Sequence, residues 1–146
     1  MKPTRFFLFL ALTLPLWAGE TVLSHPKPTL EHPRQLVIEI NSGDEKTVSG
    51  AIAAVNNLIK AYQPGFVEIA VVIYGPALPY AKKNSGELSQ RMETLIMMDV
   101  ALIACRNTME TYRLSQEQLI DDMDTVQAGL QEIAERKLAG WIHLKP

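Results

Sequence analysis

The sequence predicts a single three-layer α/β domain, with a mainly parallel sheet of about five strands and helices on both faces. Short β-rich runs alternate with segments whose apolar residues recur at helical spacing, the signature of strand-helix-strand units. The run Phe66-Val-Glu-Ile-Ala-Val-Val-Ile73 is almost continuously apolar, as a strand covered on both faces must be. At 146 residues the chain has the length for one core.

The first eighteen residues read as an export signal. Lys2 and Arg5 form a positive start, residues 6–16 an apolar stretch broken by Thr13 and Pro15, and Ala18 a small residue at a plausible cleavage point. An uncleaved membrane anchor is the alternative reading of the same pattern. The stretch falls short of the ~20 apolar residues a membrane helix needs, and no later segment approaches that length. The expectation is therefore a periplasmic or secreted protein with no stable membrane span once the signal is removed. Residues 19–34, with three prolines and two histidines, read as a flexible lead-in, and residues 35–146 as the folded domain.

Within that domain, residues 35–41 form a first β-rich run and residues 41–46 a turn. Val48, Ile52, Val55, Leu58 and Ile59 place a helix over residues 47–62, stopped by Pro64-Gly65. Residues 66–73 are the second strand. The connection from Tyr74 to Gly86 carries two prolines and two glycines, and its length makes it a candidate functional loop. A helix over 87–97 and a strand over 100–104 follow. Asn107 with Glu110, and Ser115 with Gln118, have capping-box spacing, so a short helix is expected after Asn107 and another over 116–123. Residues 124–126 suit a brief strand, residues 127–139 a helix ended by Gly140, and residues 141–144 the last strand.

Charge excludes several functions. Of 14 basic residues, Lys2 and Arg5 lie in the signal, leaving 12 against 16 acidic ones and a formal charge of −4. No basic stripe is present to neutralise phosphates, so nucleic acid is not an expected partner. His25, His32 and His143 have no metal-ligand spacing, and Asp121-Asp122-x-Asp124 lacks the glycine and distal glutamate of a calcium loop, so no metal is expected. His143, alternating with Trp141, reads as facing solvent or an interface. The segment after Tyr74-Gly75-Pro76 lacks the glycine and lysine pattern that cradles phosphates, and no cofactor is expected.

One residue stands apart. Cys105 is the only cysteine, so no intrachain disulfide can form. It ends an apolar run just before a helix start, and helix amino termini favour an anion such as a thiolate. Arg106, Asn107 and Thr108 follow it as thiolate-supporting residues. Tyr74, Gly75 and Tyr80, in the long connection after the second strand, would shape access. The opposing reading is a small apolar filler, since free cysteines are often buried. No histidine or second cysteine lies nearby in sequence to complete a hydrolase pair.

The run Val100-x-Leu-Ile-Ala-Cys105-x-Asn107-Thr108-Met109 resembles the cysteine segment of the DsrE/DsrF-like family of sulfur-relay proteins. Gly129-x-x-x-Ile133 and Leu138-Ala-Gly140-Trp141-Ile142-x-x-Lys145-Pro146 are similar to that family's carboxyl terminus, as are Asn56-Asn57 and the strand from Val67 to Ile73 in their order. The resemblance implies a homo-oligomer in which Cys105 carries sulfur as a persulfide and exchanges it with a donor or acceptor protein. Arg106 departs from the small residue common at that position, and the export signal departs from the cytoplasmic setting of the relays. Three functions are thus carried forward: an exported sulfur carrier, a non-catalytic oligomeric binding module in which Cys105 only packs, and an accessory protein whose Cys105 pairs with a cysteine on another chain.

Overall fold

The computed structural model describes residues 19 and 21–146, so the export-signal reading of residues 1–18 lies outside the described residues. Five strands alternate with helices along the chain: β1 (Arg34–Ile40), α1 (Glu45–Ala61), β2 (Val67–Ile73), α2 (Glu87–Ile96), β3 (Ala101–Cys105), α3 (Arg106–Tyr112), β4 (Asp124–Val126), α4 (Gly129–Leu138) and β5 (Ile142–Leu144). Short 3-10 helices occupy Gly75–Ala81 and Gln116–Gln118. All pairings are parallel, in the order β4-β3-β2-β1-β5.

This order follows from handedness. A right-twisted strand feeding a right-handed helix returns to its sheet only by a right-handed crossover. The steps from β1 to β2, β3 and β4 all run in one direction, so α1, α2 and α3 fall on one face. The last step reverses and carries the chain past β1 to β5, which places α4 on the opposite face.

Two cores result. Leu36, Ile38, Ile40, Ile69, Val71, Ile73, Leu102 and Ala104 pack beneath α1 and α2, with Val48, Ile52, Val55, Met92 and Leu95 closing the layer. On the other face Val37, Ala70, Val72 and Ile103 meet Ile133 of α4. Side chains alternate along a strand, so this second face also carries Glu39, Tyr74 and Cys105, the next residues in that alternation on β1, β2 and β3.

Asp44 caps α1, its carboxylate accepting the Thr47 N–H at 2.8 Å, and a capping box closes the turn at Ser115 and Gln118 as its spacing suggests. The helix expected over 116–123 does not continue. It is one 3-10 turn, after which Leu119 pairs as a bridge with Lys82 and buries its side chain, with Ile120 and Met123, in the larger core. Anchoring three apolar side chains from an extended segment outweighs the local helical preference. Residues 21–33 hold no helix or strand. They lie against the domain through the Arg34 guanidinium, which donates to the carbonyls of Ser24 and Pro26, and through the buried Pro28. Among the described residues no helix is long and apolar enough to cross a membrane.

Because α4 is the helix that covers the second face among the described residues, Ile133→Ala should destabilise the fold by about 3 kcal/mol, the usual cost of an Ile-to-Ala cavity. Urea unfolding followed by circular dichroism measures it.

Candidate functional site

Open parallel sheets bind ligands beyond the carboxyl ends of their strands, where neighbouring strands send their connections to opposite faces. Here that point lies between β3 and β4. The chain leaves β3 into α3 on one face and leaves β4 into α4 on the other. Cys105, the last residue of β3, sits in that fork, paired with Val126 of β4.

Two helices begin against its sulfur. Cys105 is the residue that caps α3, with extended backbone, and its own thiol makes no capping hydrogen bond. The Thr108 hydroxyl and the amide N–H groups of Gly129 at the start of α4 and of Thr108 in α3 favour the ionised sulfur, with a lesser part from the Asn107 N–H, which bonds the Gln127 carbonyl. Burial pushes the thiol up, and these donors outweigh it, leading with the Thr108 hydroxyl, so the net shift is below the ordinary cysteine value. One contact acts the other way. The neutral thiol donates to the Gln127 carbonyl oxygen, at 3.8 Å.

Gly129, with no side chain, lets α4 approach the strand ends closely. A Cβ there would lie 3.1 Å from Val72 Cγ1 and 3.4 Å from the Cβ atoms of both Cys105 and Tyr74. The first turn of α4 therefore rests directly on the ends of β2 and β3. On the α3 side, Gly75 adopts a left-handed conformation, φ 56°, and donates its N–H to Thr108 Oγ1 at 3.0 Å. That leaves the Thr108 hydroxyl proton free to point at the sulfur.

The thiol is covered. Only 6 % of Cys105 is exposed. Its cover is the strand β4 and the connection to α4, tied down by Asn107 N–H to the Gln127 carbonyl at 3.2 Å and by Gln127 Nε2 to Asn107 Oδ1 at 2.6 Å.

The residues expected around Cys105 fall into distinct places. Thr108 is buried beside the sulfur. Asn107 is not the cap of α3 but its second residue, and its side chain holds Gln127 instead. Cysteine takes the cap position because it is the last residue with strand geometry. Arg106 turns to β4 and donates from Nε to Thr125 Oγ1 at 3.0 Å. Tyr74 and Gly75 lie next to the site. Tyr80 packs on the opposite face of the sheet and donates to the Gly43 carbonyl at 2.8 Å.

A second cluster escapes a reading of the sequence. Glu39, only 8 % exposed, receives hydrogen bonds at Oε1 from the Tyr74 hydroxyl, from Asn41 Nδ2 at 3.0 Å and from Lys145 Nζ at 2.9 Å. His143 Nε2 meets Oε2 at 3.0 Å. His143 therefore does not simply face solvent. It closes a network joining β1, β2 and β5. Burial raises the Glu39 carboxyl, yet the bonds from Tyr74 and Lys145, the Lys145 charge and His143 together bring it below its ordinary value. Burial and the bond to Glu39 push the Tyr74 phenol up to about 12, so it is the donor. The one sequence signal was a glutamate inside the apolar run Leu36-Val-Ile-Glu-Ile40. Apart from Asn41, its partners lie 35 and more positions away, beyond local pattern. Among the described residues no cluster of metal-ligating side chains occurs.

An α/β domain of this topology with one thiol at its switch point defines a class of single-cysteine, doubly covered parallel-sheet proteins. Residues 36–146 match the family model described as the DsrE/DsrF-like family, and the chain belongs to that family. Solved structures share the fold. The protein of unknown function MTH1491 from Methanobacterium thermoautotrophicum is 28 % identical, covering 77 % of this chain and 99 % of its own, with a TM-score of 0.72. The ychN protein from E. coli is 16 % identical, covering 78 % and 99 %, with a TM-score of 0.64. The conserved protein of unknown function BT1422 from Bacteroides thetaiotaomicron is 14 % identical, covering 77 % and 94 %, with a TM-score of 0.62. No curated protein matches the chain.

The Glu39 network sets an acid limit. A carboxyl held below its ordinary value of 4.5 stabilises the fold fully above that pH, and the contribution is lost as the pH falls through the lower, folded value. Stability of the wild-type chain should therefore decline between pH 5 and pH 3 (about the range of carboxyl titration) more steeply than that of Glu39→Gln, measured by urea midpoints across that range.

Proposed function

We propose that the protein is an exported sulfur carrier in which Cys105 holds sulfane sulfur as a persulfide and passes it to a partner protein. One observation carries the reading: Cys105 ends β3 in the fork where α3 and α4 leave to opposite faces, its sulfur beside the Thr108 hydroxyl and the start of α4 at Gly129. Membership of the DsrE/DsrF-like family supports it. The Cys105 thiolate would attack the outer sulfur of a donor persulfide. A new bond forms from Sγ to that sulfur, the donor's sulfur–sulfur bond breaks, and the donor departs as a thiolate, which takes a proton from water. The acceptor step reverses this exchange, with the partner's thiolate as attacker. Thr108 and Gly129 would hold the anion, while Tyr74 and Gly75 would wall the site. This is carriage rather than turnover, since neither a base nor a second thiol is required.

Assembly into a homo-oligomer completes the proposal. Leu130 and Leu138 on the outer side of α4 and Ile142 on β5 are exposed apolar side chains that a second subunit would cover. Export, with delivery to the periplasm or beyond, rests on residues 1–18. The deep burial of Cys105 supports a second reading, an oligomeric binding module in which the thiol only packs.

Intact mass spectrometry after exposure to a sulfane-sulfur donor separates the two. The carrier gains the mass of a sulfur atom, reversible by a thiol reductant and lost in Cys105→Ser. A chain that alkylates readily in its folded form yet never takes up sulfur refutes the carrier. A chain that reacts with neither reagent until unfolded is the packing module.

A further inference from the structure

We propose that Glu39 is a positioning residue for the Cys105 sulfur, acting through Tyr74 and Gly129. This rests on Cys105 being the reactive group of the function proposed above. Glu39 does not bond the sulfur. Strand register explains how it reaches it. Ile73 pairs with Ala104, so Tyr74 and Cys105 are neighbours at the ends of β2 and β3, both on the α4 face. Ile40 pairs with Ile73, which puts Asn41 beside Tyr74, and Ile38 pairs with Leu144, which puts Glu39 beside Lys145. Cys105, Tyr74 and Asn41 are thus level at the carboxyl edge, and Glu39 with Lys145 lies one side-chain step back from it on the same face, level with Val72.

Tyr74 is the link. Its base supports Gly129, where an added Cβ would sit 3.4 Å from the Cβ of Tyr74 and equally from that of Cys105. Its far end is fixed by the hydroxyl, which donates to Glu39 Oε1 and accepts from Asn41 Nδ2 at 2.9 Å. Glu39 is itself held by Lys145 and His143. The residue after Tyr74 bonds Thr108, so a shift of Tyr74 disturbs donors from both helices at once. A buried carboxylate at the far end of the Tyr74 side chain consequently sets the geometry of the N–H groups at its base.

Direct charge would act with the opposite sign. An anionic Glu39 opposes a thiolate, so if it acted through space its removal would lower the Cys105 pKa. If it acts by position, its removal raises that pKa. The charged and titratable groups meeting Glu39 are Tyr74 of β2, His143 of β5 and Lys145 beyond it. Beside Cys105, Arg106 is engaged by Thr125.

The test is the pH dependence of iodoacetamide alkylation of the folded full chain, in the wild type, Tyr74→Phe and Glu39→Gln. Both variants should move the inflection upward and slow alkylation near neutral pH by about threefold or more, with the high-pH plateau unchanged, because only the thiolate reacts. A downward shift in Glu39→Gln, or an unmoved inflection in folded Tyr74→Phe, overturns the proposal. Tyr74→Phe keeps the ring and the charge balance, so it decides alone if Glu39→Gln fails to fold. Sulfane-sulfur loading of the wild type is scored separately. Variant-dependent inflections without loading refute the carrier and leave the positioning role standing. Loading with unmoved inflections does the reverse.

Discussion

The structure depends on a reversal in the direction of its connections. Because β4 sends the chain back across the sheet to β5, the helices after β3 and β4 must leave to opposite faces, and their amino termini must open on the same fork. The partial positive charge of each terminus is worth about 0.5 kcal/mol to a nearby anion, and two such ends with direct N–H donors compound it. A thiol at the end of β3 is the one side chain in a position to use both. Gly129 eases the close approach of α4, since a Cβ there would crowd Val72 Cγ1 at 3.1 Å and touch Tyr74 and Cys105.

Burial and ionisation compete at this sulfur. Desolvation disfavours the thiolate, and the Gln127 carbonyl favours the protonated form. The donors prevail because the fold fixes them in place: the amides belong to helix backbone, and the Thr108 side chain is buried and held by the Gly75 N–H, so little freedom is lost in bringing them together. The same rigid frame restricts approach. The cover over Cys105 is a three-residue edge strand and the turn after it, held by pairing with β3, by Arg106 on Thr125 and by the Asn107 and Gln127 pair. A site built this way admits a small reagent more readily than a bulky one.

Much of the architecture could be read in the sequence because it is local. The helical spacing of Val48, Ile52 and Val55 and the continuous apolar run ending at Ile73 each report one element's burial, and each element formed as expected within a residue or two. The position of Cys105 was equally legible, as the polar end of an apolar strand. What escaped was set by tertiary context. The capping spacing at Ser115 specifies one turn, while Leu119, Ile120 and Met123 find the core from an extended chain. Asn107 loses the cap to Cys105 because β3 runs one residue further than its apolar content suggests. Glu39, His143 and Lys145 meet only because β5 joins the sheet beside β1, and strand order leaves no trace in spacing.

The central claim is that the folded protein holds the Cys105 thiol below its ordinary pKa. The rate of alkylation of the native wild-type chain, measured against pH, tests it most directly. The expected result is a single inflection below the ordinary value of 9.0, abolished by unfolding in urea. An inflection at or above that value, or reaction only after unfolding, would contradict the account.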